Sequence, residues 1–531
     1  MKTIRNRRIM KGFLYLMLCA IAGLSIAACA NDDTVQPNDK EKPNDKNITA
    51  TFAGLQPEAT TRTRTTATHA KGQEAKVFWD AADKVYVKDD GGTFHVSGTA
   101  SFLPATPVNK AKAMFSLSGG SYNTDNRLVH YTGTASGVDE NTVIIAAAQS
   151  QNAANDFSHL GSSGDCGTAT AKGKNGAYVF TLNHKASYLC FMPRCMNIDL
   201  SRNIFLTKIT VTANKPIAGK FDFSDGSLMG KTPTAGSSNT ITLTTNNFSL
   251  NTQTEAIEKN GSYMVIAPGT YNLTITYDIN DPLTSVTAHV KKTLTGFNCQ
   301  EGKINDITAW VDKDITNYKS KYYTWDADET KDYWYGVANP PTTEGSHSES
   351  YPKLPTDARW YHEGTGAINP THVAATAPNV NEMLWYAHKG MPYWDTQTIW
   401  STMGHLYHVG VWIKKQSVIA AENATTIPAM QAAYNSVDYR MSTSYSETGS
   451  YTSTVGTPPP ASLISQYFYL PALGTMANGT VYTLGTEGHY ASSTAIVNNG
   501  TMHTGLHFRP DGLHVHVGFP RANGYQYFKA Q

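Results

Sequence analysis

ITATFAGL, residues 48–55, sets Ile48, Ala50 and Phe52 in alternation with threonine. A period of two puts the apolar members on one face of a half-buried strand, so ordered structure begins here. Upstream, residues 30–47 (ANDDTVQPNDKEKPNDKN) are polar, proline-punctuated and without periodicity, which predicts a flexible tether. Downstream, KVFWDAADKVYV predicts the next strand through Val85 and Val87. Short alternating runs then continue to residue 312, among them YVFTLNH, LTKITVTA, SNTITLTT, YNLTITYDI and VTAHVKKTL, divided by Gly, Asn, Asp and Pro turns. This is β-sandwich patterning, and roughly 265 residues of it exceed one sandwich. The loop-rich stretch 158–176 (SHLGSSGDCGTATAKGKNG) marks the boundary, giving sandwiches over 48–175 and 176–312.

Composition agrees with a mainly β exported chain. Charged residues are 16% of the 531 and the formal net charge is +1. Average soluble proteins carry about 25% charge. Without an excess of Lys and Arg nothing drives counterion release from a polyanion, so no nucleic-acid partner is expected. The length predicts about three or four domains.

The N-terminus supplies an address. Residues 1–29 combine a basic start (Lys2, Arg5, Arg7, Arg8, Lys11), an apolar run of about 17 residues and small residues before a cysteine. Ile26-Ala27-Ala28-Cys29 resembles the lipobox of bacterial lipoproteins, in which the cysteine is acylated after the signal peptide is removed. The acidic run that follows, ANDDT, resembles a surface-export tag of Bacteroides-group lipoproteins. The expected location is the outer face of the outer membrane, held there by lipid on Cys29. Four cysteines remain after processing, Cys166, Cys190, Cys195 and Cys299, and export leaves disulfides and buried thiols both open. Cys190 and Cys195 would lie about 16 Å apart in a straight strand and could bond only if Pro193 turns the chain.

Beyond Trp310 the composition changes. Of nine tryptophans only Trp79 precedes it, and a third, α+β domain is expected over 320–531. Asn379 or Asn381 can cap a helix NEMLWYAHK ending at Gly390. Asp395 can cap a second, TQTIWSTMGHLYH, in which Ile399, Met403 and Leu406 keep helical spacing. Residues 443–461 predict a long irregular loop, and the end returns to strands joined at Pro510-Asp511-Gly512.

Several ordered motifs together, TRTRTT…VFWDAADKVYV, IIAAAQSQNAANDFSHLGSSGD, FTLNHKASYLCF, YMVIAPGTYNLTITY and GKINDITAWV, resemble the fimbrillin family over residues 48–312. The family consists of pilin-like lipoproteins, and the resemblance implies two transthyretin-like Greek-key β-sandwiches. The C-terminal region resembles more loosely the C-type-lectin-like modules of Bacteroides surface proteins, through APNVNEMLWY and YFYLPALG…GTEGHYASSTA…LHFRPDGLHVHVGF. The family reading also gives Arg62 and Arg64 a role: in fimbrillins a trypsin-like protease cuts after an arginine in the first long loop and removes the lipidated segment with the first strand. Either arginine could be the site. Loss of a strand expected at the edge of its sheet would leave unpaired backbone groups for a neighbouring subunit's strand to fill. The place of a C-terminal donor strand is taken here by the α+β region, which implies an accessory, tip-like subunit with an adhesive head.

No HExxH, GxSxG, P-loop or lectin-type calcium tripeptide occurs, so no catalytic residues, cofactor or metal are expected. The histidine pairs His405/His408 and His514/His516 have no recognised third ligand. Trp385, Trp394, Trp400 and Trp412 read as core, whereas Trp360, Tyr361, Tyr445 and Tyr451 lie in loop-like sequence and are the candidate ligand-binding aromatics. The expected partners are other fimbrial subunits, a host or bacterial surface glycan or protein, and the outer membrane through the anchor. The alternative is a free-standing surface glycan-binding lipoprotein that does not polymerise.

Overall fold

The computed structural model describes residues 48–57, 69, 71–72, 77–103, 110–319, 321–444 and 446–531. Cys29, Arg62, Arg64 and Tyr445 lie outside them. The described chain is mainly β.

The first body uses strands β1 (Ala50–Leu55), β2 (Tyr86–Lys88), β3 (Phe94–Val96), β4 (Lys112–Leu117) and β5 (Arg127–Tyr131). Strands β6 (Thr142–Ile145) and β7 (Ala148–Gln151) leave it, and β8 (Gly167–Lys174), β9 (Ala177–Thr181) and β10 (Asn183–His184) return to it. The order is β3-β2-β5-β8-β9-β1-β4, with β10 on β8. The start of β8 pairs with β5 and its end with β9, so this one strand serves both halves of the sheet. Side chains from both halves (Val87, Val129, Phe52, Phe115, Phe180) share one core around Trp79, so the halves pack face to face. Strand β2 is shorter than its sequence pattern, because Asp83 accepts the Asp80 N–H at 2.7 Å and turns the chain before it.

The second body contains β11 (Ser187–Arg194), β12 (Phe205–Ala213), β13 (Ala218–Asp222), β14 (Ala235–Ser238), β15 (Thr240–Ser249), β16 (Ser262–Ile266), β17 (Gly269–Asp281), β18 (Val286–Cys299) and β19 (Ile304–Trp310). They form sheets β18-β17-β12-β15-β7, β16-β11-β19 and β14-β13-β6 over a shared core. The leading strands of the two bodies have matching neighbours. β1 runs antiparallel to β4 and parallel to β9, while β11 runs antiparallel to β16 and parallel to β19.

The expected cut at 175/176 is not where the bodies divide. It falls in the β8–β9 turn of the first sheet, and β6 and β7 pair with β13 and β15 of the second body. The glutamines of the AQSQ motif explain the crossover. Gln149 accepts from Val265 N (2.9 Å) and donates to Val265 O (2.8 Å), and Gln151 accepts from Tyr263 N (2.7 Å), so their amides stand in for a strand beside β16.

The remaining residues form β20 (Thr316–Asn317), β21 (Tyr393–Asp395), β22 (Trp400–Thr402), β23 (His405–Tyr407), β24 (Gly410–Lys414), β25 (Ser446–Gly449), β26 (Ser453–Gly456), β27 (Tyr467–Pro471), β28 (Thr475–Ala477), β29 (Thr480–Tyr482), β30 (Gly488–Ala495), β31 (Met502–Arg509) and β32 (Gly512–Pro520). Their largest sheets are β26-β21-β24-β27 and β25-β32-β31-β30. A helix, Val380–Lys389, packs among them, opened by a capping box in which Asn379 accepts from Glu382 N and Glu382 accepts from Asn379 N.

The second expected helix is instead a hairpin. β22 and β23 pair around a two-residue turn, Met403 (φ 51°) and Gly404 (φ 83°), both left-handed as a type I′ turn requires. Asp395 still accepts from Gln397 N and Thr398 N, but as a turn, and Trp400 stacks on Tyr407 at 4.9 Å across the strands. Within 443–461, short strands β25 and β26 replace part of the expected loop.

Candidate functional site

β1 is not an edge strand. Its backbone is bonded on both sides, to β4 and to β9, with Thr51 N donating to Gly176 O (2.8 Å) and Gln56 N to Ala111 O (2.9 Å). The inward face carries Ala50, Phe52, Gly54 and Gln56, and each fits a different part of the groove. Phe52 is fully buried, stacked on Tyr178 at 4.6 Å with Tyr122 edge-on at 5.6 Å. At Gly54 a Cβ would come within 2.8 Å of the Phe115 and Phe180 rings, and the Gly54 carbonyl accepts the Trp79 indole N–H at 3.1 Å. Gln56 meets His184 Nε2 at 2.9 Å, His184 Nδ1 meets Asp165 at 2.8 Å, and the Tyr188 hydroxyl donates to the same Asp165 oxygen. Burial alone would pull the His184 pKa down, but the Asp165 carboxylate outweighs it and holds the ring above its ordinary value. Above Trp79, Asp83 accepts from the Tyr131 hydroxyl at 2.8 Å, and burial pushes its pKa up to about 6. A strand with a large aromatic, then glycine, then a polar amide at successive inward positions is therefore held in one register by size and by hydrogen bonding.

The described residues that precede and follow Arg62 and Arg64 in sequence are held in different bodies. Gln56 is buried in the first body, and the buried His69 meets Asp306 of β19 in the second body at 2.7 Å. Gly72 N donates to the other Asp306 oxygen at 2.6 Å, and Lys71 pairs with Glu255 at 3.3 Å. Burial would raise the Asp306 pKa, but the His69 and Gly72 hydrogen bonds outweigh it and lower it.

Other expected site residues are not brought to this groove. All four cysteines, Cys166, Cys190, Cys195 and Cys299, are buried free thiols, the second of the two states left open for them. Pro193 does not turn the chain between Cys190 and Cys195, because it lies within the continuous strand β11 opposite Ala309. Trp360 and Tyr361 are half-buried and lie together at 4.6 Å, with Trp360 Nε1 donating to Glu363. Tyr451 is occupied elsewhere. Its hydroxyl donates to Arg509 O (2.7 Å) and Gly512 O (3.0 Å), tying down the β31–β32 turn, and burial pushes its pKa upward. The His405/His408 pair is divided: His405 bonds Asp281 of the second body at 2.9 Å and His408 bonds Thr396 O. Sequence reading missed the exposed Trp310, which faces Arg194 at 5.2 Å, and the register lock at Gln56, whose partner is 128 residues away.

No protein-family profile and no curated protein sequence matches the chain. Solved structures similar to it include Bacteroides proteins described as cell adhesion or fimbrial proteins. A "putative cell adhesion protein" from Bacteroides ovatus is 11% identical and covers 49% of this chain and 91% of its own, with a TM-score of 0.31. One of the same description from Bacteroides uniformis is 15% identical over 51% and 94%, with a TM-score of 0.29. A fimbrial protein from Bacteroides ovatus is 12% identical over 91% and 98%, with a TM-score of 0.23. Such scores are too low to carry a fold from one chain to another, so the architecture rests on the strand pairings themselves.

Proposed function

We propose that the chain is the lipid-anchored precursor of a surface-exposed fimbrial accessory subunit for cell adhesion, assembled by strand replacement once its N-terminal segment is cut away. Cleavage after Arg62 or Arg64 would release residues up to the cut, including Cys29 and β1. The observation that carries this reading is the placement of β1 between β4 and β9, joined to the arginine segment. Its removal orphans backbone groups on two strands and uncovers the rings around Phe52. Burying one such aromatic side chain again stabilises by about 1.5–3 kcal/mol, and the backbone pairs add to that. The anchor at His69 keeps the newly cut end beside the second body, so the bodies need not separate.

The third module supports an accessory position. Residues 524–528 are packed inward, with Phe528 near Phe468 (5.8 Å) and Tyr386 (5.9 Å), so this segment is not offered as a donor strand. The lectin-like reading assigns the same module to adhesion, with Trp360 and Tyr361 as its contact pair. Among the described residues no helix is long and apolar enough to cross a membrane. The attachment proposed for the precursor is lipid on Cys29, at the lipobox-like Ile26-Ala27-Ala28-Cys29.

Mass spectrometry of the surface-assembled protein tests the proposal. The expected mature N-terminus is Thr63 or Thr65, accompanied by oligomers that survive mild denaturant. An acylated Cys29 on an unclipped monomer would overturn it and favour the free-standing lipoprotein.

A further inference from the structure

We propose that Glu487, His489 and His507 form a binding site for a divalent transition metal on the terminal sheet of the third module. The strand register creates it. His489 of β30 stands directly opposite His507 of β31, which stands opposite His514 of β32, so three imidazoles form a row across neighbouring strands. Glu487 precedes His489 by two residues, the period of a strand, and its carboxylate reaches the pair. Its Oε2 lies 2.9 Å from His507 Nε2 and 3.4 Å from His489 Nε2.

The three ligand atoms all lie within 4.8 Å of one another. Zinc bonded at about 2.0–2.1 Å in tetrahedral geometry sets its ligands about 3.4 Å apart, so side-chain adjustment is enough and the strands need not move. The rings are stacked at 4.1 Å and 17°. Each must rotate about χ2 for its lone pair to meet the ion. His489 Nε2 is shielded from water and, though 3.4 Å from Glu487 Oε2, makes no well-aligned hydrogen bond, a deficit that an ion between the two would relieve. His514 is committed elsewhere, to Asp511 (3.1 Å) and Thr448 (3.0 Å), and stays outside the ligand set. The three side chains are between 12% and 27% exposed, which leaves an entry path and an open coordination position for water or a partner's donor atom. Two imidazoles and one carboxylate suit zinc, nickel or copper; calcium and magnesium prefer oxygen throughout. The site stands whether or not β1 is ever exchanged.

Titration of the purified full-length chain with cobalt(II), then displacement by zinc, tests the assignment. One equivalent should bind with visible bands of low-coordinate cobalt and without a thiolate charge-transfer band, and His489→Gln and His507→Gln should each weaken binding at least ~10-fold. Zinc should also protect His489 and His507 of the unsubstituted chain from diethyl pyrocarbonate, a readout that no folding defect of a variant can disturb. Absence of binding, affinity in both variants equal to that of the unsubstituted chain, or unchanged modification would overturn the proposal. A thiolate band would also overturn it, by moving the metal to His69, Cys190 and Asp306, the other group of three candidate ligands among the described residues.

Discussion

Asp83 shows how one buried carboxyl sets a pH response. It is 4% exposed and accepts from Asp80 N and Tyr131, yet burial lifts its pKa from 3.8 to about 6. A raised carboxyl pKa means that the folded chain holds the proton more tightly than the unfolded chain. Its contribution is therefore fully present below pH 3.8 and is lost as pH rises through about 6. Denaturation of the full chain between those limits should show a fall of about 1–3 kcal/mol that Asp83→Asn removes. Parallel pH profiles for the two proteins would refute it. Nearby, Trp79, the one tryptophan before Trp310, belongs to the first core. The lift on Asp83 was not legible, since it depends on how closely other strands cover the carboxyl.

At the scale of the element, β1 was recognisable from its alternation, but its place in the sheet was not. A period of two identifies the buried face and says nothing about how many neighbours a strand has. Interior placement makes β1 exchange testable with a peptide. A chain beginning at Thr65 should bind a peptide of residues 48–57 and return from oligomer to monomer. The same peptide with Gly54→Val should bind about tenfold or more weakly, because overpacking against Phe115 and Phe180 costs about 1–3 kcal/mol. Calorimetry giving equal affinities would show that the groove does not select its occupant. An asparagine cap at 379 or 381 was readable because a cap lies within one turn of the helix it opens; Asn379 is the one used, and its box with Glu382 emerges only in the structure. The Ile399–Met403–Leu406 spacing misled, because Met403-Gly404 supplied a turn and Trp400 could pair with Tyr407 across it, contacts that outweigh helical periodicity.

At the scale of the molecule, the second body and the third module are joined by buried contacts. Leu406 enters the second core, and fully buried Asp281 accepts from both His405 Nδ1 (2.9 Å) and Leu406 N (3.0 Å). Asp281→Ala would leave two donors unsatisfied at about 1–3 kcal/mol each. Chemical denaturation should then separate into two transitions, with the junction opening first. One transition at the original midpoint would show that the joint does not couple the two parts. The crossover of β6 and β7 likewise binds the first body to the second, so the first two bodies are not beads on a string.

The sequence alone determined the β class of the chain, the strand faces, the capped helix and the family resemblance, because alternation, caps and turn residues act within a few positions. Tertiary structure decided which strand lies between which, that the cysteines stay apart, and that Gln56 finds His184 and Glu487 finds His507. Those outcomes depend on register and closure between segments distant in the chain, and local spacing does not encode which distant strand will complete a given edge.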